Sequence, residues 1–365
     1  MSLPTPQPGI LDIAAYVGGE SSVKGVERIY KLSSNEGALG PSPKAQAALV
    51  ATAGKLHRYP DGGSTELRKA IAARYGLDPT TIVCGAGSDE LIGLLVKAYA
   101  GPGDEVLYSE HGFLMYGIYA KGCSAVPVTA PERNLCADVD ALLAAVTDKT
   151  KLVFVTNPSN PTGTYTSAEE LARLRAALPS HVLLVIDAAY AEYVDRNDYT
   201  TGLDLAQNTP NTVMLRTFSK LHALGGARVG WGVFPPAIAD VMNRLRSPFN
   251  LTSSSQAAAR AAIEDVEFQA LCKTHNDYWL PWMKAELKAL GLHTTDSVAN
   301  FVLVQFPADG AHSAKAAHAF LQERGLIVRP VGSYGLPEWL RITIGTGEEN
   351  QMVIAALKDF LGAGS

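Results

Sequence analysis

The chain has 365 residues, 47% of them apolar and 18% charged, with a formal net charge of −5 at pH 7. That length buries a large core without disulfide staples and suits two domains, or one α/β domain with a smaller satellite. Acids and bases are interspersed and leave no basic stripe to follow a nucleic-acid backbone, so no nucleic-acid partner is expected.

The opening stretch, Met1 to Gly9, lacks the charged start and apolar core of an export signal. No run approaches the roughly 18 apolar residues that span a bilayer, and a cytoplasmic protein without membrane contact is expected. The first 45 residues, rich in Pro and Gly, read as an arm draped over the body. Ser64 is placed to cap a helix through Tyr75, which Gly76 closes. From about residue 64 to 234, short Val/Ile/Leu runs alternate with amphipathic segments, the rhythm of a mainly parallel sheet covered by helices. The spacing predicts strands at 81–85, 105–109, 151–156, 182–187, 213–217 and 229–234. Between them, Ser167-Ala-Glu-Glu170 is a capping box opening a helix to about Leu178, where Pro179 stops it. After about residue 250 a long helical region leads to strands at 300–306, 326–330 and 340–345 and helices at 311–324 and 348–361. The expected division is an arm, 1–45, a large α/β domain, 46–250, and a small α+β domain, 251–365. The four cysteines show no metal-ligand spacing and read as reduced thiols, with no metal site.

Chemistry gathers at strand ends. Val182-Leu-Leu-Val-Ile-Asp187 puts a carboxylate at the end of a buried strand, where open α/β sheets bind ligands. A buried carboxylate needs a facing cation, and a protonated pyridine nitrogen is one. Lys220 follows the 213–217 strand among the hydroxyls of Thr217 and Ser219. Burial and the nearby Arg228 lower an amine's pKa and favour the neutral form that attacks an aldehyde. Arg228 and Ser219 suit a phosphate, and Gly85-Ala-Gly87-Ser88-Asp89-Glu90 forms a glycine turn onto a helix start that attracts anions. Together these residues point to pyridoxal phosphate, whose aldehyde, ring nitrogen and phosphate each need one such partner. Phe113 is placed to stack on the ring, and Asn157 and Tyr190 to donate to its O3′ oxygen. Glu90 stands where a dinucleotide fingerprint needs its third glycine, which disfavours an NAD-dependent oxidoreductase.

These pieces resemble the fold-type I pyridoxal-phosphate aminotransferases, and within them the histidinol-phosphate branch. The matching motifs are Ser33-Ser-Asn35-Glu36, Arg58-Tyr59-Pro-Asp-Gly-Gly63, Gly85 to Glu90, Asn157-Pro-Ser-Asn-Pro-Thr-Gly163, Asp187-Ala-Ala-Tyr190, Thr217-Phe-Ser-Lys220 with Arg228, and Leu340-Arg-Ile-Thr-Ile-Gly345. They run in family order over nearly the whole chain. The resemblance implies that Lys220 carries the cofactor aldehyde, that Asp187 pairs with the ring nitrogen, and that Gly87, Ser88, Asp89, Thr217, Ser219 and Arg228 surround the phosphate. It implies a homodimer in which Tyr59 reaches the partner's cofactor. It also implies that Arg329 and Arg341, with Tyr16, Asn35 and Asn157 nearby, receive the substrate's phosphate or a carboxylate in its place. Three departures stand out: Gly37-Ala38 where the family carries a proline motif, Ala188 where an acid is common, and the Gly225-Gly226 pair.

The function this implies is transamination between glutamate and the histidinol-phosphate pair. Alternatives on the same scaffold are an aromatic amino-acid aminotransferase and a phosphothreonine decarboxylase. A non-catalytic sensor domain would need a DNA-binding module ahead of the body, for which 45 Pro/Gly-rich residues are too few.

Overall fold

In the computed structural model, residues 4–15, 18, 25, 26 and 28–362 are described. The large domain is built on seven strands: β1 (Ile82–Gly85), β2 (Glu105–Ser109), β3 (Val126–Ala130), β4 (Thr150–Thr156), β5 (Leu183–Asp187), β6 (Thr212–Thr217) and β7 (Gly230–Val233). Their order across the sheet is β1-β7-β6-β5-β4-β2-β3, with β7 antiparallel to both neighbours and the other pairings parallel. Helices cover both faces, so strand residues are apolar in continuous runs. Val185 and Leu183 enter one core with Leu95 and Tyr116, while Leu184 and Ile186 enter the opposite one with Leu171 and Leu174. The fold is α/β with a mainly parallel sheet, as expected from the sequence.

Four of the six expected large-domain strands differ from the observed ones by one residue at one end, the 229–234 strand is shorter by one residue at each end, and Glu105–Ser109 is identical. The missing strand was β3, an edge strand that contains Pro127 and is half exposed, so its apolar pattern is weak. The cap expected from Ser64 is absent. Ser64 adopts φ 49° without a side-chain cap, and Asp61 accepts the Thr65 amide at 2.6 Å in its place. Ser167 does cap the helix Ala168–Ala177, but Glu170 pairs with Arg173 rather than closing the box.

The small domain is an antiparallel sheet ordered β8-β9-β11-β10, from β8 (His293–Thr294), β9 (Phe301–Gln305), β10 (Arg329–Val331) and β11 (Leu336–Thr343). The expected limit at residue 250 falls just before a helix that packs on the large domain. Ser253–Glu264 packs on Pro43–Val50 and Thr65–Tyr75, and Ala258, Ala259 and Ile263 share a core with Leu67 and Ile71. The long helix Val266–Ala289 then crosses over, its Met283 and Leu287 joining the small-domain core. The arm is also more integrated than expected. Tyr30–Lys31 pairs with Leu326–Ile327 in parallel, and Tyr30 and Leu32 are buried in the small domain. No helix among the described residues is long and apolar enough to cross a membrane.

Candidate active site

The ends of β4, β5 and β6 meet the arm and β10/β11 around a cavity of about 300 Å³. Its lining includes Asn35, Ser88, Asp89, Phe113, Asp187, Tyr190, Thr217, Ser219, Lys220, Arg228, Arg329 and Arg341, which brings together most of the residues singled out in the sequence.

Lys220 Nζ donates to the Ser34 carbonyl at 3.0 Å. Burial, then the guanidinium of Arg341, lowers its pKa to about 7, with Arg228 adding to the effect and Glu36 opposing it. Its amine is therefore substantially neutral at physiological pH. Asp187 is 4% exposed and its pKa is pushed up to about 6, chiefly by burial. Tyr116 donates to its Oδ2 at 3.0 Å, while Oδ1 is buried without a hydrogen-bond partner. An orphaned carboxylate oxygen facing a cavity is a seat for a cationic N–H donor.

An anion seat lies at the other end. Gly87 takes φ 84° as it turns into the helix Ser88–Tyr99, whose first amides are free. That φ favours glycine, and a Cβ there would crowd the Arg228 guanidinium that passes over the turn. Arg228 is held by the Gly225 carbonyl at 3.1 Å and the Ala86 carbonyl at 3.4 Å. Ser219 and Thr217 complete the seat, their hydroxyls 3.0 Å apart. The Asp89 carboxylate accepts from Tyr119 at 2.8 Å, and Asp89 lines the cavity at this end.

A second cation pair faces the cavity from the small domain. Arg329 and Arg341 sit directly opposite each other on β10 and β11. Like charges in that register repel, and an anion between them removes the repulsion. Arg341 is oriented by the Ser33 carbonyl at 2.7 Å and by Asn160 Oδ1. Asn35, at φ 54°, donates to Tyr190 Oη at 3.0 Å, which leaves that hydroxyl's own proton for the cavity. Arg329 also borders a larger, more apolar cavity of about 720 Å³ beneath Asp12–Ala15, next to Leu114 and Ile118.

One residue departs from expectation. Asn157 does not line the cavity: its amide donates to the Thr166 and Thr200 carbonyls at 3.1 and 3.2 Å and its oxygen accepts the Thr166 amide at 2.8 Å. The motif holds two Asn-Pro pairs, and the backbone turns the second asparagine, Asn160, into the cavity. With Oδ1 taken by Arg341, Asn160 Nδ2 is the donor end. Tyr59 is 83% exposed and stacks on Phe249 at 4.7 Å, outside the cavity of its own chain. Tyr16 lies outside the described residues.

The unusual residues have packing reasons. A Cβ on Gly37 would sit 2.7 Å from Ala223 Cβ and 2.9 Å from the Lys220 carbonyl, so the arm passes close under the lysine loop. Ala188 is fully buried in the large-domain core, where an acid would be unpaired. Tyr116 was missed in the sequence. Its signal is the 113, 116, 119 spacing of aromatics leading into and along the helix Met115–Gly122, which an amphipathic reading treats as packing alone.

A family model described as aminotransferase class I and II matches residues 27–357. The histidinol-phosphate aminotransferase of Paramagnetospirillum magneticum is 62% identical over 100% of both chains. That of Rhodospirillum rubrum is 56% identical over 98% of this chain and 97% of its own. The crystal structure of histidinol-phosphate aminotransferase from Sinorhizobium meliloti, in complex with pyridoxal 5'-phosphate, superposes with a TM-score of 0.87 at 29% identity, over 93% of this chain and 92% of that one.

Proposed function

The chain belongs to the class I and II aminotransferases, and from that premise we propose that it exchanges an amino group between glutamate and 2-oxoglutarate and between histidinol phosphate and imidazole acetol phosphate, in histidine biosynthesis. The observation that carries this reading is a single cavity shared by the Lys220 amine, a partnerless carboxylate oxygen and two facing guanidinium groups.

Pyridoxal phosphate fits the residues present. Lys220 faces where an aldehyde would lie, Asp187 Oδ1 lacks the N–H it needs, and Ser88, Ser219 and Arg228 form an anion seat. When bound, it supplies a carbonyl that links to an amine and a protonated ring that draws electrons from the substrate's Cα. Asp187 would hold negative charge opposite the ring nitrogen, and Tyr190 Oη and Asn160 Nδ2 would supply donors to the ring oxygen. Phe113, on the cavity wall, would cover one face of the ring. Lys220 Nζ, as a free amine, would accept the Cα proton as general base. Arg329 and Arg341 hold the substrate's far anion, which is a phosphate in one half-reaction and a carboxylate in the other. One cation pair thereby serves both amino donors.

The protein works as a homodimer in this reading. Tyr59 and Phe249 form an exposed aromatic pair away from their own cavity, and this supports a role for Tyr59 at the partner's phosphate seat. The four cysteines are free thiols, which suits the cytoplasmic location we assign.

The test is a half-reaction series followed by the absorbance of the bound cofactor, with L-histidinol phosphate, L-glutamate and L-phenylalanine as donors. We expect the apparent second-order constant for histidinol phosphate to exceed that for phenylalanine by about 10²-fold or more, as the guanidiniums of Arg329 and Arg341 suit a phosphate that phenylalanine lacks. Phenylalanine reacting as fast would overturn the assignment in favour of an aromatic aminotransferase.

A further inference from the structure

Tyr116 sits on the helix Met115–Gly122 beneath the cavity and is fully buried. Its ring stacks on Phe154 at 4.4 Å, and Phe113 and Tyr108 meet it edge-on at 5.8 and 5.7 Å. Aromatic contacts on three sides fix the ring, so the hydroxyl has one place to point. That place is between the last residues of two paired strands: Thr156 Oγ1 at 2.8 Å and Asp187 Oδ2 at 3.0 Å. Thr156 and Asp187 lie opposite each other in register, and both line the cavity.

A carboxylate can rotate about its Cβ–Cγ bond and present either oxygen, or both, to a ligand. Here one oxygen is engaged from behind by a phenol that cannot move, and the other is left without a partner at the cavity. We infer that Tyr116 is a positioning residue for transamination: it locks the Asp187 carboxylate so that Oδ1 alone meets the cofactor's ring nitrogen. The inference rests on the transaminase reading for its premise that a ring nitrogen occupies that spot.

The donated bond also favours the ionised carboxylate against the opposing effect of burial. Tyr116 therefore helps keep the charge that holds the ring proton. Three residues further along the same helix, Tyr119 donates to Asp89 at 2.8 Å, at the phosphate end of the cavity. Tyr119 is thus an internal control, an equivalent phenol-to-acid bond from the same helix to a different acid.

The experiment uses full-length enzyme loaded with cofactor labelled with ¹⁵N in the ring, comparing wild type, Tyr116→Phe and Tyr119→Phe. Removing one oxygen from Tyr116 leaves the stacked ring in place. We expect Tyr116→Phe to move the ring ¹⁵N resonance toward the unprotonated position, weaken cofactor binding about 5–10-fold and lower kcat about 10-fold with KM for histidinol phosphate unchanged. Tyr119→Phe is expected to leave the ¹⁵N resonance where it is. An unshifted resonance in Tyr116→Phe, or an equal shift in both variants, would overturn the assignment, as would a rise in KM with kcat intact. If wild type itself gave no bound-cofactor resonance, the transaminase premise would fail and take this inference with it. A wild-type signal that Tyr116→Phe leaves untouched would overturn this inference alone.

Discussion

Lys220 donates its amine to the main-chain oxygen of Ser34, 186 positions earlier in the chain. Ser34 lies between Leu32, buried in the small-domain core, and Asn35, whose amide is tied to Thr343 of β11 at 2.9 Å. The acceptor that orients the reactive lysine therefore belongs mechanically to the small domain, while the lysine belongs to the large one. The arm is a structural part of the site rather than a drape over it.

Replacing Lys220 with Ala should leave a folded protein that still binds the cofactor through its phosphate seat but no longer becomes covalently labelled on borohydride reduction. Turnover should fall by about 10⁴-fold or more, because both the linkage and the proton carrier at Cα are lost. Peptide mass mapping of the reduced wild-type enzyme should place the adduct on Lys220.

Asn157 and Asn160 should separate cleanly. Asn157→Ala strands the Thr166 amide and the Thr166 and Thr200 carbonyls, and should cost about 2–4 kcal/mol in denaturant unfolding of the cofactor-free protein. Asn160→Ala should instead raise KM and lower kcat about 10-fold while stability changes little, because it frees Arg341 and removes a donor at the cavity.

The pH dependence of cofactor-free protein carries the signature of Asp187. Its pKa is raised from 3.8 to about 6, so between those values the folded chain binds more protons than the unfolded one. Stability contributed by this group is present at low pH and lost as pH rises through 6. Asp187→Asn removes that loss. The variant should melt about 2–4 °C above wild type at pH 7.5, and the gap should close toward pH 4, while cofactor affinity drops sharply. A variant that melts lower at every pH would contradict the burial argument.

Shared sites can be tested by mixing. In a heterodimer of Tyr59→Ala with Lys220→Ala, one of the two cavities has both its own lysine and an intact tyrosine from the partner. Statistical reassembly of the two variants should restore about a quarter of the wild-type sites. Each variant alone should show little activity at limiting cofactor. If mixing restores nothing beyond the sum of the parents, Tyr59 acts within its own chain or not at all.

Asp187 and Lys220 were legible because each follows a continuous apolar strand, and strand ends in such sheets converge on one edge. The arginines were paired at one anion seat only through the family resemblance, and the register of β10 and β11 supplies the physical reason for it. Asn157 was chosen over Asn160 because two consecutive Asn-Pro pairs look alike in sequence, whereas their side-chain directions depend on the turn between them. The domain limit at residue 250 came from a change in texture. The helix that follows presents Ala258, Ala259 and Ala262 to the large-domain core, a small-residue face whose apolar signal is too weak to reveal its partner. Tyr116 needed tertiary information: nothing local tells a phenol that a carboxylate from another strand lies 3.0 Å away.

The neighbour of β1 in the sheet is β7, which follows it by about 145 residues, and Gly230 of β7 backs directly onto the amide of Ser88, leaving 2.1 Å for any Cβ. During synthesis, then, the turn at Gly87 emerges from the ribosome long before the strand that braces it. The vitamin's phosphate finds no finished cradle on a nascent chain that stops short of Gly230, and the seat closes only once that strand is made.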